Sequence, residues 1–294
     1  MREKKNKAGV EEIRRRSMFS EAMARLVRNK TAMFGFFILV TVVLLCLAAD
    51  IISPGGYDQQ DMKSRFVAPG LEHIFGTDHL GRSMLARVLY GGRNSLLIGF
   101  AATVLGAAAG IILGTISAYY GNMVDNIIMR ILDVFNSIPN LLLAIVISSA
   151  LGSGKVNTII AVGISTIPGF ARTVRGPILA IMGMDYIEAA RTIDAKDSRI
   201  MFRHLLPNVL SPIIVQFTLG TAISILCVSS LSFLGMGIQP PEPEWGALLS
   251  YGRQYLNYYP YLCTVPGVAI ALIVFSMNLF GDGLRDALDP RLKN

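Results

Sequence analysis

The 294-residue sequence is poor in charged residues, cysteine and histidine. Charged side chains make up 16% of it, against about a quarter in soluble domains, while 52% of its residues are hydrophobic and its mean hydropathy is +0.51. The three cysteines and three histidines show no CxxC or Cys/His spacing, so neither a disulfide framework nor a metal site is indicated. The composition predicts an integral membrane protein whose cysteines are buried free thiols.

Enzyme motifs are also missing from the sequence. Neither HExxH nor GxSxG occurs. The string GSGKV at 152–156 resembles a phosphate loop, but Ser149 and Val156 stand where a Walker A motif needs glycine and a hydroxyl residue. We therefore expect no catalytic residue and no cofactor in this chain, and a membrane enzyme is a weak alternative.

Long apolar runs dominate what is present. A spanning helix needs about 20 apolar residues, and the first run is longer than the apolar core of a signal peptide, which favours an uncleaved span. The prediction is an all-α membrane protein with six transmembrane helices. The six segments are 33–52, 95–118, 126–150, 157–176, 208–236 and 262–282.

The distribution of lysine and arginine predicts the orientation. If the N-terminus is cytoplasmic, twenty of the 27 basic residues lie inside: ten in 1–32, Arg130, six from Arg172 through the loop 177–207, and three in the tail 283–294. This bias predicts that both termini are cytoplasmic and that 53–94 and 237–261 are external. The net charge of +7 is then explained by topology and contact with the lipid bilayer, and nucleic acid is not an expected partner.

A charged stretch, EAARTIDAKDSRIMFRHLLPN at 188–208, interrupts the apolar sequence. Its spacing predicts two short helices, 177–193 and 197–206, the first with Tyr186, Ala190 and Ile193 on one face. Such a helix pair is either a docking surface for a partner or a loop folded back on its own bundle. Amphipathicity alone leaves both alternatives open.

This stretch resembles the EAA loop of ABC-importer permeases, which docks on ATPase subunits. Asp194 occupies the family's glycine position; aspartate tolerates a positive φ, and we expect Asp194 to cap the second helix together with Asp197. Arg199 lies on the charged side of that helix. The residues that match the family pattern are Glu188, Ala189, Ala190, Leu206 and Pro207.

Four further stretches resemble the C-type permease subunit of dipeptide and oligopeptide importers. They are RNKTAMFGF, FGTDHLGRSMLARVLYGGRNSL, LSFLGMGIQPPEPEWGALLSYGR and GDGLRDALDPRLK. Ser83 and Ala86 replace the aspartate and serine that the family commonly has in the second stretch. Nickel importers share these motifs, so the resemblance constrains mechanism better than cargo.

The resemblance implies a type I ABC-importer permease in a bacterial or archaeal cytoplasmic membrane. It implies one half of a pore that works by alternating access, with a B-type permease as the other half. Two P-loop ATPase subunits would bind ATP and Mg, and an extracellular or periplasmic binding protein would deliver the substrate.

Several other residues are candidates for function. Gly106, Gly110 and Gly114 recur every four residues and predict close helix packing, within this chain or against a partner. Arg130 and Asp133 are predicted to form an ion pair near the cytoplasmic end of the third span, either functional or a structural anchor.

The outer segments and the spans supply the remaining expectations. Glu242, Glu244 and Trp245 are predicted to contact an external receptor, with a solvated lid or an interfacial Trp245 as alternatives. Pro139 and Pro168 are expected to kink their spans. A secondary transporter driven by an ion gradient is the rival class, but the mid-membrane ionisable residues and inverted repeats that it needs are not evident.

Overall fold

The computed structural model describes residues 18–289, which form helices and loops without a β-strand; an isolated bridge joins Thr77 and Ser83. The prediction of an all-α fold is confirmed. Two short 3-10 turns, Met62–Ser64 and Arg253–Tyr255, lie in the connections. The α-helices are α1 (Met18–Arg28), α2 (Lys30–Leu47), α3 (Ala49–Ile52), α4 (Met84–Tyr120), α5 (Asn122–Asn136), α6 (Asn140–Leu151), α7 (Lys155–Ile181), α8 (Asp185–Thr192), α9 (Asp197–Arg199), α10 (Leu210–Phe233), α11 (Trp245–Gly252) and α12 (Tyr261–Leu288).

Within the described residues, four helical stretches are long and apolar enough to cross a membrane. They are α2, α4, the continuous helical stretch Asp197–Phe233 that includes α9 and α10, and α12. The pair α5 and α6 passes the same test only when it is counted as one broken span. Helix α7 lies where the fourth span was predicted, but it is not among these helices. Length and composition thus support four or five spans, and the predicted six are not confirmed.

The third predicted span, 126–150, is corrected by the structure. Helices α5 and α6 meet at an angle of 88° around residues 137–139. Pro139 stands at the N-cap of α6. Proline has no N–H to donate and disfavours helical geometry in the residue before it, so the helix is interrupted at this point. Pro168, in contrast, lies inside α7, which stays one helix.

Helix α4 is longer than the predicted segment 95–118. Its 37 residues span about 55 Å at 1.5 Å per residue, so part of the predicted external segment 53–94 belongs to this helix. Ser83 caps its first turn by accepting a hydrogen bond from the N–H of Ala86. The residues that depart from the family pattern in this stretch therefore begin the longest helix.

The glycine stripe of α4 faces α7 inside this chain. A Cβ added at Gly110 would lie 2.5 Å from the Cβ of Phe170 and 2.8 Å from the carbonyl oxygen of Ile167. Gly106 and Gly114 are buried and approach α7 at least as closely. Small residues permit this contact between two helix backbones, which holds the centre of the bundle together.

Two apolar clusters close the bundle at opposite ends of α4. One surrounds Trp245 and Met84 and joins α2, α4, α10, α11 and α12. The other surrounds Val174 and Ile178 near the C-terminal end of α7. Cys46 and Cys227 are buried free thiols, while Cys263 is only partly buried. We call the end with Val174 the EAA end and the end with Trp245 the opposite end.

Candidate functional site

The EAA segment, residues 185–209, packs one of its faces against the bundle. Ile187 and Ala190 are buried in the apolar cluster with Val174 and Ile178 of α7. The predicted shared face of Tyr186, Ala190 and Ile193 is therefore wrong, because Ile187 and Ala190, three residues apart, turn inward together. Ala190 is 6% exposed, whereas Ile193 is 79% exposed.

The turn between the two short helices has the predicted backbone but not the predicted cap. Asp194 has a φ of +55°, as expected for an aspartate in place of a glycine. The second helix begins after Lys196, and no side chain caps it. The carboxylate of Asp197 instead accepts hydrogen bonds from the hydroxyl groups of Tyr119, at 2.6 Å, and Tyr120, at 3.0 Å. These bonds attach the segment to the end of α4.

The second half of the EAA segment is continuous with a long helix. A π-helical turn, Ile200–Leu205, and a 3-10 turn, Leu206–Val209, connect α9 to α10 without a break. The predicted helix 197–206 therefore does not end at 206, and Pro207 lies within the 3-10 turn. The second half of the EAA segment and α10 therefore form one helical stretch, Asp197–Phe233.

The outer face of the EAA segment is exposed among the residues that the structure describes. Glu188, Ala189 and Arg199 are exposed, and so are the large apolar side chains of Ile193 and Phe202, at 79% and 63%. Exposed apolar side chains of this size mark interaction surfaces. Each of the two alternatives thus applies to one face: the inner face folds back on the bundle, and the outer face is open to a partner.

Ion pairs connect α5 to α7 near the EAA end. Asp133 pairs with Arg172 at 2.5 Å, so the predicted pair with Arg130 is wrong; Arg130 makes no ion pair among residues 18–289. A second pair joins Asp125 to Arg175 through two hydrogen bonds of 2.5 and 2.6 Å. Both carboxylates of α5 have their partners on α7. Residue spacing within α5 alone could not identify these partners.

Glu244 and Trp245 are buried at the opposite end, 0% and 1% exposed. The Glu244 carboxylate accepts hydrogen bonds from the Ser95 hydroxyl of α4 at 2.8 Å and the Ser229 hydroxyl of α10 at 3.0 Å. The Trp245 indole donates to the Val88 carbonyl oxygen at 2.9 Å. The predictions of receptor contact and of an interfacial tryptophan are therefore wrong for these two residues, which join α4, α10 and α11.

Glu242, in contrast, remains accessible. Its side chain is 41% exposed, and its carboxylate pairs at 2.5 Å with Lys155, at the start of α7. It stays a candidate for contact with a receptor.

A buried charge cluster near the start of α4 was missed by the sequence analysis. Asp78 pairs with Arg82 at 2.8 Å and also with Arg87, and Arg82 reaches Asp58 at 3.2 Å. Burial raises the pKa of Asp78, but the Arg87 charge and hydrogen bonds from Arg82 and Leu80 outweigh it and hold the pKa below its usual value. The spacing of Asp78 and Arg82 within TDHLGR was the available signal.

Comparison with known families shows which family the chain belongs to. Residues 110–294 match the model of the binding-protein-dependent transport system inner membrane component. Residues 17–69 match that of the N-terminal transmembrane domain of oligopeptide transport permease C. The chain is a permease of this family. It is accordingly an integral membrane protein of a transport system that works with ATPase and binding-protein partners.

Relatives of the permease are similar over nearly their full length. The dipeptide transport system permease protein DppC of Alkalihalophilus pseudofirmus is 41% identical over 278 residues, covering 95% of this chain and 91% of that protein. The glutathione transport system permease protein GsiD of Escherichia coli is 44% identical over 281 residues, covering 95% and 92%. These matches confirm the predicted importer class and leave the ion-gradient alternative without support.

A solved structure supports the predicted architecture of the permease. The inward-facing MetNI methionine ABC transporter aligns with a TM-score of 0.58 at 20% identity, covering 70% of this chain and 98% of that chain. A likeness at this identity shows the fold alone. The type I ABC-importer permease fold is thereby confirmed.

Proposed function

We propose that this permease forms one half of a heterodimeric pore that imports dipeptides or oligopeptides. The observation that carries the proposal is the 41–44% identity, over at least nine-tenths of each protein, to permeases named for dipeptide and glutathione transport. A B-type permease supplies the other half, and an external binding protein delivers the peptide. Alternating access moves it inward, because ATP binding favours one of two pore states.

The outer face of the EAA segment couples the pore to two P-loop ATPase subunits. Ile193 and Phe202 supply exposed apolar contacts, and Glu188 and Arg199 supply charges at the rim. The continuous helix from Asp197 to Phe233 carries movement of the docked ATPase into the bundle. ATP and Mg bind to those subunits, and this chain needs no cofactor of its own.

The orientation follows from the lysine and arginine bias. The EAA end and both termini face the cytoplasm of a bacterium or archaeon. The opposite end, with Glu242, faces the binding protein. Single cysteines at positions 188 and 242, in a background without the three native cysteines, test this orientation: a membrane-impermeant thiol reagent added to intact cells should label only position 242.

Transport by the purified complex tests the proposal. The complex is isolated with its co-purifying subunits, reconstituted in proteoliposomes, and assayed for ATP-dependent uptake of peptides of two to five residues. Failure of ATPase subunits to co-purify, or uptake of no peptide in this range, would contradict the proposed function.

A charge reversal on the outer face tests the coupling role. Glu188→Arg should lower the ATPase stimulation by loaded binding protein more than tenfold, equivalent to about 1.4 kcal/mol of coupling free energy. Asp286→Arg is the matched control, since Asp286 is exposed near the C-terminal end of α12, outside the EAA segment and away from the end that faces the binding protein. Normal stimulation in the Glu188→Arg complex would show that the segment only connects two helices.

A further inference from the structure

Positive charge is concentrated in the first thirty residues of the chain. Residues 1–30 contain ten lysines and arginines against four glutamates, which leaves six of the seven net positive charges of the whole chain in this segment. The rest of the sequence is therefore close to neutral. Residues 1–17 lie outside the described part of the structure, but Arg25 and Arg28 belong to α1, and Lys30 begins α2.

Helix α1 ends where a membrane span begins. All 18 residues of α2, Lys30–Leu47, have the composition of a span, and they extend over about 27 Å, close to the hydrocarbon thickness of about 30 Å. Asn29, between the two helices, has an extended backbone with φ −77° and ψ 102°, and its side chain accepts a hydrogen bond from the N–H of Ala32. The helix is interrupted at Asn29, so the last turn of α1 lies at the membrane boundary.

Helix α12 holds α1 at this boundary. Leu26 of α1 is 5% exposed and packs in an apolar cluster with Ala32 of α2 and Ala287 of α12. The corner between α1 and α2 is closely packed as well, since a Cβ added at Gly283 of α12 would overlap the Cβ of Ala32. Helix α1 is therefore a fixed part of the bundle.

The surface of α1 is divided into three strips. Ala22 and Leu26 are buried, at 9% and 5% exposure. Met23 and Val27 each follow one position later, about 100° further round the helix, and are 47% and 58% exposed. An exposed apolar strip opposite a charged one is the pattern of a helix that lies in the plane of the membrane surface. The charged strip consists of Glu21, Arg25 and Arg28.

The bundle does not neutralise the cations of this corner. Arg25 is 3.8 Å from Glu21, and their side chains are 33% and 45% exposed, so this surface pair contributes little. Arg28 and Lys30 are exposed and make no ion pair among residues 18–289. Unpaired cations directly outside a span, on a segment that carries nearly all of the net charge, fit a surface of anionic headgroups.

We propose that α1 lies on the membrane surface and binds anionic phospholipid headgroups through Arg25, Arg28 and Lys30. Met23 and Val27 then contact the upper part of the acyl chains. Lipid is the occupant because a helix fixed at the end of a span lies beside the headgroups in every state of a transporter. Guanidinium groups bind phosphate oxygens through charge-assisted hydrogen bonds. Anionic lipid thereby stabilises the packing of α1 and α2 on α12, whichever cargo the permease carries.

Fluorescence quenching tests the position of α1. Single cysteines replace Val27 on the exposed apolar strip or Glu21 on the charged strip, in a background without native cysteines, and are labelled with bimane. The complex is reconstituted in vesicles of phosphatidylcholine and phosphatidylglycerol. A nitroxide on the upper acyl chain should quench the label at position 27 about twofold or more above the label at position 21, and aqueous iodide should give the reverse order. Quenching of both labels by iodide would place α1 in water, and protection of position 27 from both quenchers would place it against protein; either result overturns the proposal.

A lipid titration of the detergent-solubilised permease tests the headgroup contacts. Phosphatidylglycerol added to micelles of detergent and phosphatidylcholine should raise the unfolding midpoint, because a ligand that binds the folded state stabilises it. The concentration that gives half of this rise should increase more than tenfold in Arg28→Gln/Lys30→Gln, since each basic residue near an anionic surface contributes about fivefold. High salt should weaken the response of the unchanged protein.

A second exposed lysine supplies the matched control. Lys63 lies in the 3-10 turn Met62–Ser64, away from α1, and Lys63→Gln removes the same charge as Lys30→Gln. Lys30→Gln alone should raise the half-maximal concentration about fivefold, and Lys63→Gln by much less. Equal effects of the two variants would show that only the overall charge matters and refute the proposal. Loss of ATPase subunits from the Arg28→Gln/Lys30→Gln complex with an unchanged response to phosphatidylglycerol would assign the strip to an ATPase and refute it as well.

Discussion

Replacing Gly110 by alanine tests the contact between α4 and α7. The new Cβ would lie 2.5 Å from the Cβ of Phe170 and 2.8 Å from the carbonyl oxygen of Ile167, where ordinary carbon contacts need about 3.5 Å or more. Neither atom can rotate away, because one is a backbone atom and the other is bonded directly to the backbone. The two helices must therefore move apart by about 1 Å to restore contact at 3.5 Å.

The magnitude follows from two opposing effects. Overpacking a core costs about 1–3 kcal/mol, whereas alanine in a helix interior is favoured over glycine by about 1 kcal/mol. The net loss for Gly110→Ala is thus about 0–2 kcal/mol. Gly169→Ala on α7 is the control: its Cβ would lie 3.8 Å from the side-chain nitrogen of Gln216, an ordinary contact, so only the gain of about 0.5–1 kcal/mol remains.

Thermal unfolding of the detergent-solubilised permease measures the difference. The unfolding midpoint of Gly110→Ala should lie below that of Gly169→Ala, with the unchanged protein between them. Gly110→Leu should fall further and also reduce assembly with partner subunits, since leucine extends the overlap into Phe170. Equal midpoints for the two alanine variants would show that the helices are not in contact as described.

Three further predictions concern the two ends of the bundle. Asp194→Gly should retain transport and stability, because glycine adopts a φ of +55° without the cost of about 1–2 kcal/mol that other residues bear; loss of transport would show that the side chain itself is required. Ala190→Trp should lower the unfolding midpoint of the isolated permease by overpacking its buried site, whereas Ala189→Trp, on the exposed side, should leave the midpoint unchanged and weaken ATPase binding in a pull-down; the reverse result would exchange the two faces. Asp78→Asn should cost about 3–5 kcal/mol, because the buried Arg87 loses its carboxylate partner while Arg82 keeps only Asp58. The pKa of Asp78 is lowered from its ordinary value of about 3.9, so this stabilisation is fully present above that pH and is lost as the pH falls further. In a pH series, the difference between the unfolding midpoints of the two proteins should therefore stay constant from pH 7 to 5 and shrink below about pH 4. A difference that begins to shrink above pH 5 would contradict the assignment.

Local features of the sequence predicted much of the candidate site. The positive φ of Asp194 follows from the residue type that replaces a glycine. The approximate position of the EAA segment follows from its charges and from its place between apolar runs. The glycine spacing predicted a smooth helix face, and the structure identified α7 as the helix that packs against it.

Contacts between residues far apart in the chain could not be predicted from the sequence. Asp133 was assigned to Arg130 because they are neighbours on one helix, but Arg172 of α7 is its partner. Glu244 and Trp245 looked like surface residues in a proline-rich loop, yet they are buried against Ser95 and Val88 of α4, about 150 positions earlier in the chain. The angle at Pro139 likewise depends on what surrounds the break.

Composition, apolar run length and motif order by themselves determined that this chain is a helical membrane permease of the importer class, because each is a local property that sums along the chain. The presence of membrane spans and their orientation can be predicted from apolar run length and lysine placement without knowing which helices are in contact. Only the tertiary structure decided which face of α8 is open, which arginine binds Asp133 and which loop residues are buried. These outcomes depend on the angles and distances between helices, and a few degrees of inclination change the partner of a charged side chain without any change in the sequence around it.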